Sequence, residues 1–434
     1  MHVSKPEVTV KREIKLLGII SGLRGFGLLM ISSFLSLYLL NILKLSYDQV
    51  GTLIFLLGLP GVVLSPVAGL ISDRLGRKRL LLLCLVGEFI GFFLLAYSME
   101  IKSLMFVSIA ALISLFFDFF GGPPNSAYVA DITEGSERTK GFTYIRVGYN
   151  VGAAVGVGSG GILVGIIGFP VVTLLCSFLI GLSTIIVVFS LPLSPYDRIL
   201  KGENLISKPN NIVDSSSNPV SANLSKGASS IKHSLQSMTS DMVFLEITIG
   251  FALASLVGGQ WGVTFQLFGN TKLELAYSII GFAVAINAIV VVFGQTYITN
   301  SVINQHHTTI GIAGLLCYCV AFVAIGISGK YMLIPLWMFL LTTIVATIGE
   351  NLLSIPLATL PSNLAPRSDI GNYNGAFQSF MSAGWMFSTF IGGLILEYFK
   401  DPLIIWIILI LPAIPAIVLL IHASGKISEK ANRI

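Results

Sequence analysis

Six ionisable side chains stand inside long apolar stretches of the chain: Arg24, Glu88, Asp118, Arg146, Glu246 and Glu350. A charge at the centre of a hydrocarbon layer costs about 2.5–3.5 kcal/mol on insertion scales, so a residue kept there faces a cavity or a partner. Two acids carry the clearest chemistry. Glu350 follows Gly349 deep in an apolar run, with Pro356 bending the helix beyond it, and Asp118 is flanked by Phe116, Phe117, Phe119 and Phe120. Membrane-embedded carboxylates of this kind serve as proton relays, so both are read as proton-coupling groups. Arg24 has two readings: a partner for Asp118, or an anchor for an anionic substrate. Gly258 and Gly259 can unwind a helix where it lines a cavity. That would offer Gln260 and Trp261 to a substrate, with Asn150, Asn287 and Gln378 as further polar candidates.

Other chemistry is poorly served. The five histidines (His2, His233, His306, His307 and His422) fall in loops or near helix ends, and the adjacent pair His306-His307 lacks acidic or cysteine companions. Cys317 and Cys319 point about 200° apart on a helix. With Cys84 and Cys176 they are read as buried apolar thiols. No metal site, cofactor, disulfide or catalytic residue is expected, and the chain is not read as an enzyme.

The elements that must position these residues follow from composition. Of 434 residues 54% are hydrophobic and 11% are charged, against about 25% charged in ordinary soluble domains. The surplus apolar surface must face something other than water. Apolar runs of about 20 residues, enough to cross a hydrocarbon core about 30 Å thick, recur from end to end. They lie at roughly 16–43, 48–71, 79–98, 103–127, 142–167 and 169–192, and again at roughly 242–268, 275–298, 309–328, 332–355, 373–398 and 402–422. The first run is too long for a signal-peptide core and is read as a retained span. Between the two sets, the Ser-, Asn- and Lys-rich stretch 193–240 cannot bury a core and reads as a linker, disordered or partly helical along the membrane surface. The expected architecture is all-α: residues 1–192 as one six-helix bundle, 193–240 as linker, 241–434 as a second bundle.

Of the 26 Lys and Arg residues, 19 fall on the side holding the N-terminus, the linker and the C-terminus, and five on the other. The positive-inside rule makes the first side cytoplasmic; the net charge of +5 is therefore no nucleic-acid footprint. The halves also look duplicated. One offset of 232 residues pairs Pro124 with Pro356, Asp131 with Asn363, Gly152 with Gly384, and Gly160-Gly161 with Gly392-Gly393. Repeated halves related by an axis along the membrane normal are a transporter signature.

Between spans 2 and 3 stands a specific motif: Gly69, Asp73, Arg74, Gly76, Arg77 and Lys78. Basic residues alone would satisfy the positive-inside rule. A glycine one turn before an acid, and a second glycine before Arg77, read instead as a tight hinge. Gly69 allows close helix approach, Gly76 permits the turn, and Asp73 seeks Arg77 or a helix N-terminus. The stretch resembles the G-x-x-x-D-R-x-G-R-K loop of the major facilitator superfamily without a mismatch, in a chain of matching six-plus-six layout. The resemblance implies two pseudo-symmetric bundles rocking about a central site, with this loop as a conformational latch. Carried over, Asp73 would meet the start of span 11 and Arg77 would pair with Asp131 at the end of span 4. The second-half counterpart, Gly294 to Thr308, keeps Gln295 but lacks the acid and the arginines.

Span 5 looks like that of drug exporters in the same family: Gly152, Gly156, Gly160 and Gly161 fit their glycine-rich pattern, with Val157 where they have proline. Close helix packing through small residues is the plainer reading of these positions. The Gly-Glu pair at Gly349-Glu350 resembles that of proton-driven multidrug exporters. In this family span 3 is peripheral, so Glu88 is expected in a structural or lipid-edge role. Glu246 is expected to reach the interface. Arg146 is expected to snorkel or to pair with Asp131 or the loop acids. The function implied is proton-coupled export of lipophilic small molecules by a monomer in the cell membrane, with both termini cytoplasmic. The alternative is uptake of a small organic anion, sugar or other metabolite. Partners are then substrate, protons and membrane lipid, and no nucleic acid.

Overall fold

The computed structural model describes residues 12–133, 135–200, 241–302, 305–366 and 370–427. Every regular element among them is helical. The order is α1 (Arg12–Ser32), α2 (Leu35–Asn41), α3 (Tyr47–Leu75), α4 (Arg77–Glu100), α5 (Leu104–Ile132), α6 (Gly135–Ser190) and α7 (Pro195–Leu200). After the linker come α8 (Met242–Gly258), a 3-10 turn (Gly259–Trp261), α9 (Val263–Thr271), α10 (Tyr277–Ser301), α11 (His307–Tyr331), α12 (Pro335–Leu364), α13 (Ile370–Tyr398), α14 (Pro402–Ile410) and α15 (Ala413–Ser424).

Ten described segments are long and apolar enough to cross a membrane. One of them, Gly141–Ser190, has 50 residues, about 75 Å as a straight helix, more than twice the hydrocarbon thickness. It divides at Gly168, whose φ of 79° and ψ of 166° are non-helical. Pro170 begins the second crossing where a missing N–H does no harm. The 29-residue α3 supplies one more, making twelve spans. Side chains on their outer surfaces would be untenable in water: Phe189 is 83% exposed, Phe293 77% and Ile166 74%. The apolar belt therefore faces lipid.

Three spans are broken rather than straight. Span 1 breaks between α1 and α2, and span 12 breaks before Pro412. Span 7 breaks through the 3-10 turn at Gly259–Trp261, where the glycine pair was expected to loosen the helix. Helix starts are chemically marked. Ser46 and Gln49 form a capping box on α3, Asp241 caps α8 by accepting from the Phe244 amide at 3.0 Å, and Asp401 caps α14 through the amides of Leu403 and Ile404. Such caps satisfy amides that have no intrahelical partner.

The chain divides into two compact units. The first is Met1–Asn204 with Phe265–Ile289, the second Leu205–Thr264 with Val290–Ile434. Segment 265–289 is stitched into the first unit by Asn41. Its Nδ2 donates to Asn270 Oδ1 at 2.7 Å and to Tyr277 Oη at 2.9 Å. The Tyr277 ring packs edge-on to Phe169.

Within each unit the duplication reappears as packing. In the first, α1 and the first half of α6 meet along glycines: a Cβ on Gly148, Gly152, Gly156 or Gly160 would strike the carbonyl of Gly18, Gly22, Phe26 or Met30 in turn. In the second, a Cβ on Gly384 would strike the Ala252 carbonyl, and one on Gly392 the Thr264 hydroxyl. Span 5 thus lies on span 1 as span 11 lies on span 7. Gly161 instead faces segment 265–289, near the Tyr277 carbonyl and Gly281.

Candidate functional site

Two constellations in the first unit gather most of the chemistry. The deeper one joins α1, α4 and α5. Arg24, 8% exposed, donates from Nε to Glu88 Oε2 at 3.2 Å and from Nη2 to Glu88 Oε1. The same Nη2 donates to Asp118 Oδ1 at 3.0 Å. One guanidinium therefore serves two carboxylates, and the cluster carries a formal charge of −1. The two acids are not equivalent. The Glu88 side chain is 2% exposed and takes two hydrogen bonds, whereas the Asp118 side chain is 23% exposed and takes one. Small residues bring the helices close enough for this: Gly87 sits against the ring of Phe117, Gly91 against the backbone of Ser114, and Gly121 against Arg24 itself.

Of the two roles expected of Glu88, its burial removes the lipid edge and its pairing with Arg24 is a structural one. Sequence placed Arg24 with Asp118 and left Glu88 out, yet Glu88 holds Arg24 more firmly than Asp118 does. A signal was present in Gly87 and Gly91, small residues beside and one turn beyond Glu88, which let the next helix approach. Nor does Arg24 present a free cation to an anionic substrate, because its charge is more than balanced by its neighbours.

A pocket of about 200 Å³ lies near this cluster, lined by Leu28, Leu35, Ile54, Leu57, Phe92 and Phe119 among others. Leu28, Phe92 and Ser114 line it, each four residues from Arg24, Glu88 and Asp118 respectively. One helical turn therefore separates pocket from charges on all three helices.

The second constellation is the hinge between α3 and α4. Gly76 has φ 93°, a conformation open to glycine. Arg77 pairs with Asp73 one turn back and reaches Asp131 Oδ2 from Nε at 3.4 Å; its Nη1 also donates to Ser72 Oγ at 3.0 Å. The Asp73–Arg77 and Arg77–Asp131 pairings are present. Gly69 lies in α3, and Arg74 at its last turn is exposed. The start of span 11, assigned to meet Asp73, includes residues outside those described.

The sequence reading did not foresee the segment after span 6. Asp197, 4% exposed, accepts from the Arg77 amide at 2.6 Å, the Lys78 amide at 3.2 Å and the Ser194 amide at 3.0 Å. It caps α4. Ser194 Oγ donates to Asp131 Oδ2 at 3.1 Å, and Tyr196 Oη donates to the Asp73 carbonyl at 2.9 Å. The Arg77 guanidinium stacks 4.4 Å above the Tyr196 ring. Lys78 Nζ caps the end of α6 through the carbonyls of Val188 and Leu191. Burial, with the carboxylate of Asp73 nearby, pushes the Tyr196 phenol above its ordinary range.

In the second unit Glu350 lies on α12, half-buried and within electrostatic reach of Tyr318. There α11 and α12 cross at Gly314 and Gly349, each of which would meet the other's carbonyl if it carried a Cβ. At the counterpart of the hinge, buried His307 approaches Asn363 Nδ2 at 3.4 Å and Thr359 Oγ1 at 3.4 Å. Asn363 is the position that the 232-residue offset pairs with Asp131. Gln295 donates to Ser354 Oγ at 3.1 Å.

The remaining candidates disperse. Gln260 is fully buried, its oxygen taken by Thr264 Oγ1 at 2.7 Å, and Trp261 is 7% exposed. Both fill the helix break instead of opening from it. Asn150 is half-buried on α6 and Gln378 exposed on α13. Arg146 is exposed, and Asp131 is occupied by Arg77 and Ser194. Glu246 pairs with His422 and Lys426.

Comparison with known proteins places these features. The family model described as Major Facilitator Superfamily matches residues 17–334. Multidrug resistance protein 2 of Bacillus subtilis is 25% identical over 364 residues, covering 82% of each chain. The class C tetracycline resistance protein of Escherichia coli is 26% identical over 57% of this chain and 56% of its own. Among solved structures, the nucleoside transporter NupG superposes with a TM-score of 0.71 at 16% identity, covering 96% of this chain and all of that one. A POT family transporter in complex with 5-aminolevulinic acid gives 0.76 at 14%, covering 96% and 97%. The last two likenesses speak for the fold alone.

Proposed function

Because the chain belongs to the major facilitator superfamily and is a transporter, not an enzyme, we propose that it exports lipophilic small molecules in exchange for protons by alternating access. One observation carries the reading: a buried and a half-buried carboxylate, Glu88 and Asp118, share a single arginine, leaving one negative charge to be met by a proton or a cationic substrate. Glu88 keeps Arg24 in place, and Asp118, with one hydrogen bond and greater exposure, is the acid that takes and gives up the proton. Glu350 is the second proton group, in the other half. Each proton moving inward contributes about 2.3 kcal/mol per 100 mV of membrane potential and about 1.4 kcal/mol per pH unit.

The apolar pocket beside the cluster supports a lipophilic cargo, as does the likeness to proteins named for multidrug and tetracycline resistance. Anion uptake anchored on Arg24 is disfavoured by that residue's two carboxylate partners. The working arrangement we infer is two six-helix halves, 1–192 and 241–434, joined by the linker 193–240 in the cell membrane. Both termini are cytoplasmic, and the Asp73–Arg77–Asp131 hinge latches one of the two states.

Proteoliposomes with opposed pH gradients test the reading, using dye export and metabolite uptake as parallel readouts. Export driven by an inward proton gradient is expected, and it should be lost in the double variant Asp118→Asn, Glu350→Gln. Undiminished gradient-driven transport in that variant would refute the proton role.

A further inference from the structure

Asp73, Arg77 and Asp131 of the hinge are each touched by one short stretch, Ser194 to Asp197. Asp197 has two carboxylate oxygens and spends both on backbone: Oδ1 on the Arg77 amide, Oδ2 on those of Lys78 and Ser194. It is 4% exposed. A buried carboxylate without partners is costly; here three amides stabilise it, two of them the first of α4. Gly76 is fitted to it as well, since a Cβ there would lie 2.5 Å from Asp197 Oδ1. Tyr196 supports the Arg77 guanidinium from one side and ties down the Asp73 carbonyl. Ser194 takes the Asp131 oxygen that Arg77 Nε also addresses. Arg77 is thus fixed at its backbone by Asp197, along its side chain by Tyr196, and at its far partner by Ser194.

We propose that Asp197 is a positioning residue for transport: with Tyr196 and Ser194 it forms a clasp that sets Arg77 in reach of Asp73 and Asp131. The clasp is the start of the linker, so the hinge is held by the first turn after span 6 and not by α3 and α4 alone. The inference rests on the latch reading of the hinge, and it acts only through Arg77.

Three variants test it in proteoliposomes: Asp197→Ala, Arg77→Ala and the two together, with transport normalised to folded protein and hydrogen exchange followed over the hinge. Loss of a charge-assisted hydrogen bond to the hinge is expected to lower the maximal rate about tenfold in Asp197→Ala. The substrate concentration for half-maximal rate should stay unchanged, and amides 76–79 should exchange faster. The double variant should be no slower than Arg77→Ala alone. Effects that multiply, or a normal rate in Asp197→Ala beside a slow Arg77→Ala, overturn the clasp and leave the latch standing. A normal rate in Arg77→Ala overturns both. If Asp197→Ala does not accumulate as folded protein, Asp197→Asn combined with Tyr196→Phe gives the same comparison. The asparagine presents an NH₂ to amides that now find an oxygen.

Discussion

Replacing Gly152 by alanine adds one methyl group, and the structure sets what that methyl must displace. The new Cβ would overlap the carbonyl oxygen of Gly22 and lie 2.7 Å from its carbon and 3.0 Å from its Cα. Carbon atoms in contact prefer about 3.5–4.0 Å, so the helices must part by roughly 1 Å. The obstacle is backbone, which no rotamer change can move. The same seam runs through Gly148, Gly156 and Gly160, and a gap of 0.5–1 Å already forfeits about a quarter to a half of each contact's attraction. A cost of about 1–3 kcal/mol, typical of over-packing, is expected for alanine, and more for leucine. The assay is thermal unfolding of purified protein in detergent, followed by size-exclusion recovery after heating. Gly122, Gly165 and Gly375, where a Cβ meets nothing within 4 Å, are the internal controls, and alanine there should be nearly silent. A Gly152→Leu protein as heat-resistant as the controls would refute the argument that the missing side chains set the spacing of α1 and α6.

The buried charges predict a ranking in the same melting assay. Arg24→Met strands two carboxylates and should cost about 3–5 kcal/mol, whereas Glu88→Gln leaves Arg24 with Asp118 and should cost about 1.5–3 kcal/mol; the reverse order would exclude the shared-arginine geometry. Gly76→Ala forces a side chain into φ 93°, at about 1–3 kcal/mol, and into the Asp197 carboxylate, so its transport rate and hinge hydrogen exchange should match those of Asp197→Ala. At the far end of α11, Lys330 and the backbone amides hold the Asp401 carboxyl below its usual range. Its stabilising contribution is present above the ordinary carboxyl pKa of about 3.9 and disappears as pH falls through the lower folded value. Asp401→Asn should therefore melt slightly below the parent protein at pH 7, with the two curves converging in acid.

The fold was readable because each crossing must satisfy its own backbone in lipid, which writes every span as a long apolar run. Even the single residue left between spans 5 and 6, Gly168, is where the chain turns. Partnerships inside the membrane were harder. An intramembrane charge demands a partner, but Arg24 and Glu88 are 64 residues apart. Which faces of α1 and α4 meet depends on packing that no local pattern encodes. Gln260 and Trp261 misled for a related reason: glycines loosen a helix whether the freed side chains open to a cavity or fill the break, and here Thr264 takes the glutamine. Asp197 escaped notice because a polar residue just past a span reads as linker, and its partners are main-chain amides that have no sequence signature.

The turn at Gly168 has a mechanical corollary. Two membrane crossings joined through one residue cannot shear past one another, since there is no slack to absorb a sliding step. The first of them is also zipped to α1 over four successive rungs. α1 and the two halves of α6 therefore move together as one stiff plank, and motion during a transport cycle is taken up at joints beyond them, such as the α1–α2 break where α1 ends.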